Sequence, residues 1–313
     1  MNLARLATRM PFPYRAATVP GSVELPPSPR RTGADYETDW ARRFPARFTR
    51  LVLLETVLRP AVAALAQPDR RGLDRLADLT HPDEHDAAPP VIFAANHHSH
   101  IDTPLLLTSI PEPWRHRIFV GAAADYFFRN RATSVVSALA LNAIPIERTK
   151  VTRRSADHAA ALLDEGWSLL IYPEGGRSPD GWGQPFRGGA AYLALRCGVP
   201  VVPVHIEGTS LILRKGRKRP TPSATTVTFG SPLRPDAGED SRRFAVRIER
   251  SVAALADETA TDWYSARLRA YRGDTPSMTG PVLGAWRRMW ALGDRSRHGR
   301  RRSARRTRRW PPL

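Results

Sequence analysis

Three histidines and an aspartate stand close together in one short stretch of the chain. The stretch FAANHHSHIDTPLLL, residues 93–107, places His97, His98 and His100 within four positions and Asp102 two residues further on. Imidazole exchanges protons near neutral pH and also binds metal ions, and a carboxylate orients the ring in either kind of site. The stretch therefore predicts a catalytic base with its partner, a metal site or a polar helix start.

The elements around this cluster indicate how His97 and Asp102 meet. The apolar run VIFAA, residues 91–95, predicts a buried strand, and TPLLL, from Thr103, predicts the start of a helix. Strand-to-helix junctions are where open α/β sheets bind ligands. On one continuous helix the two residues would lie about 140° apart, so they meet only if His97 precedes the helix and Asp102 is in its first turn. Asp102 then fixes the tautomer of His97, which acts as a general base.

Two other interpretations of the cluster remain open. His98, His100 and Asp102 form an H-x-H-x-D pattern similar to that of metallo-β-lactamase-like hydrolases, although Thr103 stands where that pattern continues with another histidine. The segment SHID, from Ser99 to Asp102, also resembles a capping box, which is compatible with catalysis at the same helix start. In that case His98 and His100 are surface or hydrogen-bonded polar residues.

Beyond the cluster, short apolar runs alternate with amphipathic stretches. This alternation predicts an α/β fold with a mostly parallel central sheet flanked by helices. We expect helices over about 40–66 and 70–80, then from near Thr103, Ala123, Arg131, Arg153 and Phe186, and a last pair over about 239–257 and 260–271. The strand candidates are VIFAA, RIFVGA, AIPI, WSLLIYP, VPVVPVHI and ATTVTFG.

The chain divides into four segments by composition. We expect a disordered Pro-rich lead (1–36), N-terminal helices that form a possible membrane-interface element (37–82), a catalytic domain (83–272) and an Arg-rich tail with a Trp-containing amphipathic segment (273–313). The single cysteine, Cys197, excludes an intramolecular disulfide, so the fold does not need an oxidising compartment.

Basic residues are concentrated in the tail. The formal net charge is +18, and eleven arginines stand between Arg287 and Arg309 against one acid, Asp294. Such a block attracts polyanions, either acidic lipid headgroups or nucleic acid. Nothing in the chain resembles a base-reading motif, so nucleic acid is the less favoured partner. A non-catalytic polyanion-binding protein acting through the tail is the corresponding alternative function.

The sequence predicts no membrane-spanning helix, because no run of 18 apolar residues occurs. The nearest candidate is LVLLETVLRPAVAAL, residues 51–65, which Glu55, Arg59 and Pro60 interrupt. Its length and basic approach suit a helix that lies in a membrane interface, or equally a helix packed on the protein's own core.

Five blocks resemble one enzyme family in order and spacing. NHHSHID resembles the N-H-x-S-x-x-D block of the glycerolipid acyltransferases, the 1-acylglycerol-3-phosphate acyltransferases. AIPIERT is similar to a family strand that ends in arginine, although Asn142 stands where the family commonly has glycine. IYPEGGRS resembles F-P-E-G-T-R-S, with Tyr172 for Phe and Gly176 for Thr. FRGGAAYLA and GVPVVPVHIEGT resemble the remaining blocks, so the resemblance covers about residues 91–209.

The resemblance implies a role for each matching residue. His97 would be the catalytic base and Asp102 its orienting partner. Glu174 would hold an arginine or bond a substrate hydroxyl, and the glycines after it would let the backbone approach the ligand. Arginine forks suit phosphate oxygens. The implied substrate-binding positions are Arg148, Glu174, Gly175, Gly176, Arg177 and Arg187.

The implied reaction moves a fatty acyl group from acyl-CoA or acyl carrier protein to a lysophospholipid hydroxyl, giving phosphatidate from 1-acylglycerol-3-phosphate. No metal or redox cofactor is implied, since the thioester is already activated. We expect a peripheral enzyme of phospholipid biosynthesis at the cytoplasmic face of the cell membrane. The Arg-rich tail and the amphipathic segments would bind the anionic surface.

Overall fold

A computed structural model describes residues 32–79, 88–147, 153–178, 181–213 and 219–281, together with Arg288 and Ala291. The predicted lead up to residue 31, Arg148 and almost all of the basic tail lie outside the described residues.

The described residues form a seven-stranded sheet, ordered β1-β7-β6-β2-β5-β3-β4. Every neighbouring pair is parallel except β6 and β7, which are antiparallel. The strands are β1 (Pro68–Arg71), β2 (Ile92–Ala95), β3 (Ile118–Ala123), β4 (Ala143–Ile146), β5 (Ser168–Ile171), β6 (Val201–Glu207) and β7 (Thr225–Phe229).

Helices cover both faces of this sheet. The α-helices are α1 (Ala46–Leu53), α2 (Arg59–Ala66), α3 (Asp102–Ser109), α4 (Glu112–Arg115), α5 (Ala124–Phe127), α6 (Arg131–Leu141), α7 (Arg153–Asp164), α8 (Gly189–Cys197), α9 (Thr209–Ile212), α10 (Ser241–Ala260) and α11 (Trp263–Arg272). A π-helical segment, Leu54–Leu58, joins α1 to α2, and 3-10 helices occupy Gly33–Asp35, Asp39–Arg42 and Leu73–Leu79.

The hydrophobic core has two layers because successive strand residues point to opposite faces. Phe93 and Val202 belong to one apolar cluster, whereas their neighbours Ile92 and Val201 belong to the other. This double burial explains why the central strands read as continuous apolar runs. The predicted α/β fold with a mostly parallel, helix-flanked sheet is confirmed.

One prediction about the N-terminal region is wrong. A helix over about 70–80 is expected, but residues 68–71 form the edge strand β1, which pairs with β7, and only Leu73–Leu79 is helical, as a 3-10 helix. Gly72 separates the two elements with φ +72°, and a side chain there would collide with the carbonyl of Phe229. A left-handed residue between the elements prevents one continuous helix.

The helical segment 46–66 packs on the protein's own core, which is one of the two alternatives that its sequence predicts. Leu54, Val62 and Ala66 are buried against the core. Phe48 and Val57 are exposed, so an apolar strip also faces outward. Among the described residues, none of the helices has the length and apolar character needed to cross a bilayer.

Asn142 takes over the conformational role that a glycine commonly plays at this point in the family. It ends α6 in the left-handed region, with φ 50° and ψ 39°, where asparagine is tolerated better than most residues. Its Nδ2 donates to the Ile118 carbonyl at 2.8 Å. The turn from α6 into β4 therefore forms without glycine.

Candidate active site

A cleft of about 270 Å³ opens where β2, β3, β4 and β5 end. Polar residues of its lining include His97, His100, Arg177 and Arg187, all in segments that follow strands or precede a helix. Most of the remaining wall is apolar. It includes Val120, Ala122, Leu141, Ile146 and Ile171.

His97 and Asp102 meet in the geometry that the sequence predicts. His97 lies in the loop after β2, and Asp102 is the first residue of α3. His97 Nδ1 is 2.8 Å from Asp102 Oδ2. Because Nδ1 faces a carboxylate oxygen, it carries the proton as donor, and Nε2 is left as the basic nitrogen.

Asp102 also organises the loop around His97. Its carboxylate is fully buried, and Oδ2 accepts the main-chain N–H groups of His98 at 2.7 Å and Ser99 at 2.8 Å. Oδ1 has no hydrogen-bond partner among the described residues. Only one of the two capping-box bonds forms, the one from the Ser99 N–H to Asp102. The Ser99 hydroxyl is 3.4 Å from the Ile101 N–H and accepts no N–H of α3.

Asn96 attaches the start of this loop to the neighbouring strand. Its Nδ2 donates to the Ile206 carbonyl at 2.9 Å, and its Oδ1 accepts the Ile206 N–H at 2.7 Å. This pair of side-chain bonds continues the β2–β6 ladder beyond the last β2 residue, Ala95. The loop that bears His97 therefore starts from a rigid point.

The ring of Tyr172 packs against one face of the His97 imidazole. Its ring stacks on that of His97 with a centroid separation of 4.1 Å and an interplanar angle of 17°. Its hydroxyl is 3.0 Å from the Thr103 hydroxyl on α3. Burial raises the pKa of Tyr172 well above its ordinary value, so the phenol stays protonated. In the sequence Tyr172 is only a replacement for Phe, and nothing there indicates this contact.

Glu174 joins two main-chain segments of the site. The sequence predicts that it holds an arginine or bonds a substrate hydroxyl; in the structure its Oε1 accepts the main-chain N–H of His97 and its Oε2 accepts that of Gln184, both at 2.9 Å. Its carboxyl is almost fully buried, and this burial raises its pKa to about 7 despite the two backbone bonds. Glu174 therefore fastens the main chain of His97 to the 181–184 loop.

Gly175 and Arg187 fit against each other. Gly175 has φ +73°, and a methyl group built there would lie 2.9 Å from the guanidinium carbon of Arg187. The main-chain N–H of Arg187 donates to the Pro173 carbonyl at 2.9 Å. Gly176 and Arg177 also line the cleft. The structure thus brings seven of the eight predicted site residues to one place, and Arg148 is the one outside the described residues.

His100 lines the cleft as well, although the family resemblance implies no role for it. Its ring stacks on Tyr126 at 5.4 Å, with Nε2 3.4 Å from the tyrosine hydroxyl. Burial, and then the nearby Arg177 and His97, lower the pKa of His100, which keeps the ring neutral. Its spacing from Tyr126 is not visible in the sequence, because the two come from different strand ends.

The metal-hydrolase alternative gains no support from this geometry. Asp102 Oδ2 is engaged by His97 and by the main-chain N–H groups of His98 and Ser99. Across the described ranges, no group of three or more His, Cys, Asp or Glu side chains is arranged to hold a metal ion.

Part of the chain is similar to known acyltransferases. A family profile described as "Acyltransferase" matches residues 77–207. A 1-acyl-sn-glycerol-3-phosphate acyltransferase of Cocos nucifera is 38% identical over 84 residues, 27% of either chain. The human 1-acyl-sn-glycerol-3-phosphate acyltransferase beta is 29% identical over 151 residues, covering 45% of this chain and 49% of the human one.

The fold has a solved counterpart. The crystal structure of the 1-acyl-sn-glycerophosphate acyltransferase PlsC from Thermotoga maritima matches 69% of this chain and 84% of its own, with a TM-score of 0.52 and 23% sequence identity. This likeness shows the fold. Over residues 77–207 the chain is similar to the acyltransferase profile and to glycerolipid acyltransferases. The matched segment spans from about a quarter to about half of the two curated relatives described above.

Proposed function

We propose that this protein transfers a fatty acyl group from the thioester of acyl-CoA or acyl carrier protein to the hydroxyl of a lysophospholipid, with 1-acylglycerol-3-phosphate as the acceptor. The observation that carries the proposal is the His97–Asp102 pair in an apolar cleft that two arginines also line. The acceptor assignment is supported by relatives named 1-acyl-sn-glycerol-3-phosphate acyltransferases.

The pair has the chemistry for a direct transfer. His97 Nε2 takes the proton of the acceptor hydroxyl while the oxygen forms a bond to the thioester carbon. The tetrahedral intermediate collapses by breaking the C–S bond, and the imidazolium returns its proton to the leaving thiolate. The products are an ester and a free thiol. Asp102 stabilises the imidazolium between these two steps without taking up a proton itself.

The phosphate of the acceptor is assigned to guanidinium groups. Arg177 and Arg187 line the same cleft as His97, and both side chains are exposed enough to meet a ligand. Arginine presents paired donors to phosphate oxygens. The sequence adds Arg148 to this set. Gly175 and Gly176 keep the adjoining backbone open to the ligand.

The apolar wall of the cleft suits a fatty chain. From His97 the lining passes Ile171 and Val120 on the sheet and reaches Leu141 at the end of α6. Burying methylene groups contributes ~0.8 kcal/mol each, so such a wall favours an acyl chain over a polar substituent.

The lipid acceptor requires contact with a membrane. The exposed apolar strip on α1 and the π segment, which includes Phe48 and Val57, lies next to basic residues such as Arg47. Apolar side chains with neighbouring cations suit the headgroup region of an anionic bilayer. We assign this strip, with the Arg-rich tail, to peripheral binding at the cytoplasmic membrane face.

Thiol release tests the proposal. Purified protein is incubated with a panel of lysolipids and with acyl-CoA or acyl carrier protein donors, and the free thiol is measured. We expect release that depends on 1-acylglycerol-3-phosphate and disappears in His97→Ala. The matched control is His158→Ala, whose ring contacts Arg42 on another part of the surface. A His97→Ala protein that turns over like the parent would remove His97 from the chemistry.

A further inference from the structure

A second, smaller cavity lies near the amino end of β3, next to the candidate active site. Its volume is about 50 Å³, and Leu141 separates it from the larger cleft because this residue lines both. Ile118, the first residue of β3, is also in its wall. Four basic residues complete the lining together with leucines and an alanine; they are Arg47, Arg50, Arg115 and His116.

Arg50 is the buried member of this group. It is 9% exposed, and its Nη1 donates to the Ala41 carbonyl at 2.8 Å. Its Nη2 is buried and has no hydrogen-bond partner among the described residues. A buried donor without a partner is costly, and a charged one more so. Burial, followed by the charges of Arg42 and Arg47, lowers the pKa of Arg50 to about 10.

Acidic residues do not neutralise this cavity. None of the described residues that line it is an acid. The carboxylate nearby is Glu55, and it is shared, because its Oε2 binds Arg59 at 2.7 Å while its Oε1 lies 3.3 Å from Arg115 and 3.4 Å from His116.

The other basic groups around the cavity leave its positive charge in excess. Arg42 is paired with Asp39. Arg47 lies over the Trp167 ring at 5.6 Å and has no acidic partner within the described part of the chain. The cavity thus has more positive than negative charge around a small volume.

We propose that Arg47, Arg50 and Arg115 form a phosphate-binding site in this cavity, separate from the acyl-transfer site. The volume accommodates one small anion, and an oxyanion would supply the acceptor that Arg50 Nη2 lacks. Guanidinium groups bind phosphate oxygens through paired, charge-assisted bonds.

The surroundings favour a lipid headgroup as the source of this phosphate. Phe44 and Phe48, which are 82% and 57% exposed, stand one position from Arg43 and Arg47, and Leu51 lines the cavity. Apolar residues beside the site could enter a bilayer while the arginines hold a phosphodiester. A soluble phosphate ester offers the same chemistry and is the other source.

Thermal unfolding in the presence of inorganic phosphate tests the site. The background carries Arg177→Gln and Arg187→Gln, which weakens the phosphate contacts assigned to the active-site cleft. In this background phosphate raises the melting temperature, and adding Arg50→Met weakens the apparent affinity at least tenfold. Methionine fills similar space and removes an unpaired buried cation, so the variant folds. Arg242→Gln, an exposed arginine on α10, is the control and keeps the response.

Vesicle flotation distinguishes the two sources. If a headgroup occupies the site, Arg50→Met lowers binding to vesicles of phosphatidylcholine with phosphatidic acid and leaves the weak binding to pure phosphatidylcholine unchanged. Loss of the thermal response with unchanged flotation identifies a soluble phosphate ester instead. The site is disproved if neither the thermal response nor flotation depends on Arg50, which would mean that water satisfies Nη2.

Discussion

Replacing Asp102 by asparagine separates the charge of this residue from its shape. The carboxamide keeps one oxygen that can accept the N–H groups now bound by Oδ2, namely those of His97, His98 and Ser99. Its NH₂ group falls at the Oδ1 position, which has no partner among the described residues. We therefore expect a folded protein that loses ~1–3 kcal/mol of unfolding free energy through one buried unpaired donor.

The effect on turnover is larger, because the imidazolium loses its counter-charge. Two unit charges about 4 Å apart interact by ~4 kcal/mol at the effective dielectric found near protein surfaces. Asp102 is fully buried, so solvent screens the pair weakly. Since each ~1.4 kcal/mol on the barrier is a factor of ten, kcat should fall about a thousandfold.

Thiol release at saturating acceptor measures this change. Asp240→Asn is a matched control, because Asp240 caps α10 by accepting the Arg243 N–H at 2.8 Å and asparagine caps equally well. We expect the control to keep parental kcat. A folded Asp102→Asn protein that retains more than about a tenth of the parental kcat would refute charge support of His97.

Three further predictions concern the residues that hold the site together. Burial raises the pKa of Glu174 from 4.5 to about 7, so the folded state keeps a proton that the unfolded chain loses. The contribution of Glu174 to the unfolding free energy is therefore fully present below pH 4.5 and falls by roughly 3 kcal/mol between pH 4.5 and about 7, and a comparison of Glu174→Gln with the parent in denaturant titrations should show that this fall is removed. Gly175→Ala should displace Arg187 and raise KM for the phosphate-bearing acceptor about tenfold, with a smaller fall in kcat. An unchanged KM would show that Arg187 does not bind the phosphate. Tyr172→Phe should lose only the hydrogen bond to Thr103 and keep kcat within about threefold of the parent. Tyr172→Leu removes the stacked ring as well, so its kcat should fall about tenfold; equal kcat values for the two variants would show that the stacked ring does not matter.

The sequence predicts the central part of the fold well because burial dictates residue type there. Each of the six apolar strand candidates corresponds to a strand, from β2 to β7. The edge strand β1, Pro68–Arg71, is not predicted, because PDRR has no apolar alternation. It joins the sheet through its main chain, which pairs with β7. Strand formation at such an edge depends on a partner that lies far away in the sequence.

In the site, too, residue type predicts some features, while others depend on partners far away in the sequence. His97, Asp102, Arg177 and Arg187 can be placed on one rim from the sequence, since they follow strands of a parallel sheet or begin the next helix. The partners of Glu174 cannot, because they are main-chain N–H groups, which every residue except proline carries. A buried acid is visible in the motif, but the backbone atom that it binds depends on strand register.

Register also explains how two motifs far apart in the chain form one site. Strands β2 and β5 pair in parallel with Ala94 opposite Ile171, an offset of 77 residues. His97 and Glu174 lie three positions beyond these partners and keep the same offset in the bond from His97 N–H to Glu174 Oε1. The Ser178 N–H then donates to the His97 carbonyl at 3.0 Å, so the two loops remain joined past the ends of their strands. A one-residue insertion between β5 and Glu174 would break this correspondence without removing any side chain of the site, and activity should then be lost although every motif residue remains present.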